Sequence, residues 1–223
     1  MAGRFSVYVV FLLSGFAALL YQVVWQRTLY AIYGINVESV TMVVTAFMLG
    51  LGLGSLAGGA ISKDRNRPVL AIFSIIEFAI GLFGSVSLSV FYAVGNVTLG
   101  MSALATFAVT FLLILIPTLL MGATLPLLVA HLVRSSGNVG KSVGTLYFVN
   151  TLGSALASAA SVLFILGHAG LKGAVRIAAL LNVTVSLLAY VAHRRAVRLS
   201  EIEKTLARVT AMAAKNVAHE VQS

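Results

Sequence analysis

Glu77 is the side chain of this 223-residue sequence whose type and position most invite a chemical role. Of six acidic residues it alone lies deep inside a long uncharged apolar run, about nine residues past Pro68. At a helical rise of about 1.5 Å per residue that is roughly 14 Å, close to the middle of a bilayer. An ionised carboxylate at that depth is costly, and such residues usually face a bundle interior or a cavity. Two roles are open to it: a hydrogen bond that ties helices together, or a counter-charge for a cation or proton. Its candidate partners are Gln22, Asn150 and Asn182, the other strongly polar side chains within apolar segments, and the four make a candidate intramembrane polar site. Asn150, Ser154 and Ser158 share one helix face, as do Gly153, Ala157 and Ser161, which gives that segment a small, polar packing surface.

Other chemistry finds little material. His131, His168, His193 and His219 all fall near segment ends or in the C-terminal tail, with no pair at metal-ligand spacing. No Ser/His/Asp set or carboxylate pair assembles on one side of a membrane, so neither a catalytic site, a metal nor a cofactor is expected. Cysteine is absent, which excludes disulfides and thiolate metal sites. Gly52, Gly54 and Ala57 mimic a dinucleotide fingerprint, but the motif requires a strand before it and here sits inside an uncharged apolar run. Gly140-Lys141-Ser142 mimics the end of a phosphate loop, yet Ser135 stands where that loop needs glycine.

The elements that position these residues follow from composition. The chain is 60% hydrophobic and 9% charged, against about 45–50% and about 25% in soluble domains. Six segments reach the roughly 20 apolar residues a spanning helix requires. They run approximately over 5–26, 39–62, 69–94, 101–130, 143–166 and 173–192, separated by polar or glycine-containing breaks. The first is too long for a signal-peptide core. The expected fold is therefore an all-α integral membrane bundle of six helices, with a membrane domain over 1–193 and a basic, amphipathic helical tail over 194–223.

With the N-terminus inside, twelve Lys and Arg fall on the inner side and three, Arg27, Lys172 and Arg176, on the outer. This bias places both termini in the cytoplasm, and the basic clusters read as orientation signals rather than a nucleic-acid face. In the tail, Leu199, Ile202, Leu206, Val209 and Ala213 recur at steps of three and four, making an apolar stripe that would lie on the bilayer or the protein itself, or dock a cytoplasmic partner. Arg194, Arg195 and Arg198 suit anionic headgroups.

Packing residues can be picked out as well. Gly50, Gly54 and Gly58 put three hydrogen side chains on one helix face, so a neighbouring helix can come close; Gly153 serves likewise in the fifth segment. Pro117 and Pro126 each remove a backbone hydrogen bond from the fourth segment, making either a bent packing helix or a hinge beside a cavity.

Four stretches also carry a family resemblance: SGFAALLYQVVWQR over 14–27, AFMLGLGLGSLAGG over 46–59, PTLLMGATLP over 117–126 and LYFVNTLG over 146–153. They closely resemble the transmembrane part of the spermidine synthase-like membrane proteins, a major facilitator-like segment fused to an aminopropyltransferase, over residues 5 to about 193. GAISKDRNRP, 59–68, further resembles the cytoplasmic loop after the second helix of major facilitator transporters, with Asp64, Arg65 and Arg67 as its charged residues. The resemblance implies half of a transporter-like fold. Two departures matter. The family carries a soluble domain with a glycine-rich nucleoside loop, whereas about 30 residues follow the last segment here; and Gln22 stands where the family often has Glu.

These readings lead to the expectation of a non-enzymatic subunit of a bacterial inner membrane, lodged in the lipid bilayer, that packs against other membrane subunits or copies of itself and tethers a cytoplasmic partner. The alternatives are a homodimeric transporter of a small cationic, polyamine-like solute, with Glu77, Asn150 and Asn182 as its site, and the membrane half of a split polyamine synthase.

Overall fold

A computed structural model of the chain describes the backbone of residues 2–34, 36–98 and 100–222, and the side chains of 6–34, 40–98, 100–102, 104–208 and 210. Every regular element among them is helical: α1 (Ala2–Tyr33), α2 (Asn36–Ser62), α3 (Val69–Thr98), α4 (Ala103–Ser136), α5 (Val139–Ala160), a π-helical turn (Ser161–Ile165) and α6 (Leu166–Gln222). Five stretches are long and apolar enough to cross a membrane: Ser6–Tyr33, Val40–Ser62, Val69–Thr98, Leu104–Ser136 and Val139–Arg208.

The count is thus five, not the six expected, because the last two apolar segments join in one helical stretch of 70 residues. The polar break expected at 168–172 contains a single non-helical residue, Gly170, at φ 63° and ψ −172°. Only glycine adopts that conformation without strain. The stretch folds back there. Ser154 and Asn182 line one cavity, although 28 residues of straight helix would hold them about 42 Å apart. One arm therefore runs through α5 and the π-turn to Gly170, and the rest of α6 returns beside it.

The apolar sides of these helices meet around α1, which touches all the others, while α2 lies along α4 and α3 along α6. In the centre Trp25 packs against Tyr21, Phe47, Phe83 and Phe91, with ring centroids 5.2–5.9 Å apart. Its indole N–H donates to Ser87 Oγ at 3.0 Å, so the polar edge of the ring is answered as well as its faces.

Both prolines sit inside an uninterrupted α4. Pro126 has no N–H for the carbonyl of Gly122, one turn earlier. That carbonyl accepts instead from Ser55 Oγ of α2 at 3.1 Å. Beside Pro117, Thr118 Oγ1 is within reach of the carbonyls of Ile114, Leu115 and, across the interface, Ala46, at 2.9–3.2 Å. The glycine face of α2 lies against this part of α4: side chains at Gly50, Gly54 and Gly58 would run into Thr118, Leu119 and Ala123.

Short connections fix the ends. Ser102 caps α4 at its start, Gly137 ends it at φ 68°, and Asn138 Oδ1 accepts from Lys141 N at 2.9 Å to open α5. Lys141 is consequently a first-turn helix residue. Between α2 and α3, Asp64 pairs with Arg67 at 3.6 Å. Arg134 from the end of α4 donates to the carbonyls of Asp64 and Arg67, both at 2.9 Å. Arg65 is exposed. In the tail, Leu199, Ile202 and Leu206 are exposed; Val209 and Ala213 of the same stripe lie outside the described side chains.

Candidate functional site

The site is assembled where α1, α3 and α6 meet. On α3, Phe73, Ser74, Glu77, Ile80, Gly81 and Gly84 recur at steps of three and four and are buried, so one face turns inward. Gly81 lets α6 approach: a Cβ there would lie 3.2 Å from the carbonyl of Ala179 and 3.2 Å from Asn182 Cβ. The same approach brings Ser74 and Ser186 together, each hydroxyl donating to the other's carbonyl at 2.8 Å.

One turn further along, Glu77 is fully buried (0% exposed). Ser14 Oγ of α1 donates to its Oε1 at 2.6 Å, and Asn182 Nδ2 of α6 donates to its Oε2 at 2.5 Å. Both carboxylate oxygens are therefore answered by neutral donors on two different helices. Asn182 Oδ1, by contrast, is buried without a hydrogen-bond partner; among the described side chains only the hydroxyl of Tyr21 shares that condition. A buried polar atom left without a partner costs about 1–3 kcal/mol, which marks Asn182 as more than a packing residue.

Beside this network lies a cavity of about 310 Å³. Its polar lining consists of Ser14, Gln22, Ser55, Thr124, Tyr147, Asn150, Ser154 and Asn182, and Phe11, Phe47, Leu51, Met121 and Leu125 are among the apolar residues of the wall. Glu77 stands one hydrogen bond behind it, through Ser14 and Asn182. Asn150 donates to the carbonyl of Phe11 at 3.3 Å and Ser154 to that of Gly15 at 3.1 Å, tying α5 to α1. Gly153 lies directly on Leu12.

Of the three candidate partners for Glu77, the structure joins Asn182 to it and sets Gln22 and Asn150 on the cavity wall. Ser14 was not picked out by sequence reasoning. A signal was present: Ser14, Ala18 and Gln22 recur every four residues, one helix face, and all three line the cavity. Nothing in the sequence of α1 paired that face with α3.

The fold and site define an all-helical apolar bundle with a buried carboxylate beside a polar cavity. No protein-family model matches the sequence, and no solved structure matches it. It is 28% identical over 174 residues, 77% of this chain, to polyamine aminopropyltransferase 1 of Streptomyces coelicolor. It is 24% identical over 168 residues, 75% of the chain, to the polyamine aminopropyltransferase of Oceanobacillus iheyensis. The matched part is 31% of each relative, so the chain spans about a third of the curated proteins it matches.

These matches agree with the resemblance to spermidine synthase-like proteins and overturn one expectation. A non-enzymatic protein was expected because no acid–base or nucleophilic set could be assembled within 223 residues. Both relatives are named for an enzymatic transfer, and a stretch equal to 31% of their length is not where all their reacting groups must lie.

Proposed function

We propose that the chain is the membrane-embedded portion of a polyamine aminopropyltransferase, with the transfer step carried by the portion that corresponds to the rest of its relatives' length. Helices α1 to α4 and the two arms of the last stretch cross the bilayer of a bacterial inner membrane. Residues 1–193 form the membrane domain, and 194–223 the cytoplasmic tail, whose Arg194, Arg195 and Arg198 rest on anionic headgroups. The observation that carries this reading is Glu77, a carboxylate in an apolar bundle one hydrogen bond from a cavity, in a chain whose relatives are named for polyamines. Aliphatic amines are cationic at neutral pH, and a buried carboxylate is the counter-charge they need.

Membrane and soluble fractions of cells with and without the coding region for residues 1–223 test it. Conversion of labelled 1,4-diaminobutane to its aminopropyl product should appear in the membrane fraction only when that region is present. Equal membrane activity in both strains would end the proposal.

The same carboxylate favours a second reading, passage of a small cationic solute through two copies of the bundle. Glu77→Gln should then abolish diamine uptake into vesicles; uptake at the original rate would take Glu77 out of any such path.

A further inference from the structure

We infer that the cavity walled by α1, α2, α3, α4, α5 and α6 is a binding site for the primary ammonium end of a short alkylamine, selected by the hydroxyl lone pairs on its wall and the buried carboxylate behind them. The inference rests on the reading that the polar interior handles an amine, and adds what recognises it.

The directions of the hydrogen bonds carry the argument. A hydroxyl has one proton and two lone pairs. All four hydroxyls of Ser and Thr on the wall have that proton engaged elsewhere: Ser14 with Glu77 at 2.6 Å, Ser55 with the Gly122 carbonyl at 3.1 Å, Thr124 with the Met121 carbonyl at 2.7 Å, and Ser154 with the Gly15 carbonyl at 3.1 Å. What each can still offer is a lone pair. The amides are mixed, since an NH₂ group has two protons and those of Asn182 and Asn150 each use one. Asn182 and Asn150 turn their nitrogens to Glu77 and to the Phe11 carbonyl, and Asn182 Oδ1 is buried without a partner behind the wall. Gln22, whose amide can present either end, and the Tyr147 hydroxyl can also donate. Among the described residues, no Lys, Arg or His lines the cavity.

Such a wall, with a carboxylate behind it and no cationic side chain in it, is poorly suited to an anion. An ammonium group carries three donors and no acceptor, the complementary pattern. Glu77 supplies the opposite charge through Ser14 and Asn182. Phe11, Phe47, Leu51, Met121 and Leu125 can cover an alkyl chain. A volume of about 310 Å³ lies at the small end of the roughly 300–1,000 Å³ range of ligand pockets, with room for a short alkyl chain. Tyr147, 65% exposed, also lines the cavity, so the cavity reaches the surface of the bundle on the α5 side.

The test is binding to the full chain in nanodiscs, by titration calorimetry, with 1,4-diaminobutane, 1-aminobutane and the neutral 1,4-butanediol. Both amines should bind saturably and the diol should not. Glu77→Gln, which keeps a side chain that can bond Ser14 and Asn182, should weaken amine binding at least tenfold. Ala18→Phe, which fills the cavity without touching Glu77, should remove it. Diol binding equal to that of the diamine, no amine binding, or unchanged amine affinity in either variant would overturn the inference. If circular dichroism shows that Glu77→Gln does not fold, Ala18→Phe decides, with the diol comparison on the unaltered chain as the second arm. Amine binding by a chain whose removal leaves membrane aminopropyl transfer unchanged would preserve this site while ending the transfer reading.

Discussion

Along α2 and α4 the contact is backbone on backbone, with a Cβ at Gly54 reaching within 2.9 Å of Gly122 Cα and one at Gly122 within 2.7 Å of Leu51 Cα. Along α3 and α6 it is side chain on side chain, through the Ser74–Ser186 exchange and the Glu77–Asn182 bond. The first interface gains dispersion contacts by removing side chains altogether, which suits a lipid environment where apolar surface alone drives no association. Its Ser55 and Thr124 also reach the cavity wall. The second is held by polar groups that fix a register, and it leaves Asn182 Oδ1 unanswered beside a cavity. Close backbone packing thus dominates one interface and polar pairing the other, and perturbing each should have a different signature.

The largest effect is expected from Gly54→Leu. The atoms its side chain would meet are the backbone of Leu119 and Gly122, which cannot turn aside as a flexible side chain would. Overpacking of a core costs about 1–3 kcal/mol even where side chains can adjust, so here α2 should separate from α4. The yield of monodisperse protein after size exclusion should fall by most of its value. Next comes Glu77→Leu, which leaves the donors of Ser14 and Asn182 buried without an acceptor. It should lower stability by about 1–3 kcal/mol more than Glu77→Gln does, read from unfolding in mixed micelles. Equal loss in the two variants would mean that the hydrogen bonds of this carboxylate contribute nothing to the fold.

Smaller effects separate the interfaces further. Ser55→Ala removes the one hydroxyl that answers the Gly122 carbonyl, already deprived of an N–H by Pro126, and should cost about 1 kcal/mol. The same change made together with Pro126→Ala should cost less, since the helix can then answer its own carbonyl. For Ser74 and Ser186, a double-mutant cycle with alanine should return a coupling of about 0.6 kcal/mol, the ordinary worth of polar pairs between membrane helices. A coupling of zero would show that the α3–α6 register is set by Glu77 and Asn182 alone.

Much of this architecture could be read along the chain. Apolar runs of spanning length located the helices, and glycines spaced by four residues gave α2 a bare face, because helix formation and its periodicity are local properties. The break at 168–172 was legible as well, but not its form: Gly170 bends a helical stretch that is otherwise continuous, so five long stretches stand where six segments were expected. Glu77 stood out by its cost in an apolar setting, which burial does not change. Of its partners, Asn182 was one of three candidates and Ser14 was not among them, since a sequence states which faces are polar and leaves open which faces meet.

The sequence by itself determined the all-helical apolar character, the unusual carboxylate and the small-residue faces, since each follows from residue type and from spacing within one helix. The tertiary structure alone decided that Ser14, 63 residues before Glu77, and Asn182, 105 residues after it, close on one carboxylate. It also decided that the hydroxyls around the cavity point their protons away. Both depend on how helices far apart in the chain are rotated and packed against one another, and no local periodicity encodes that.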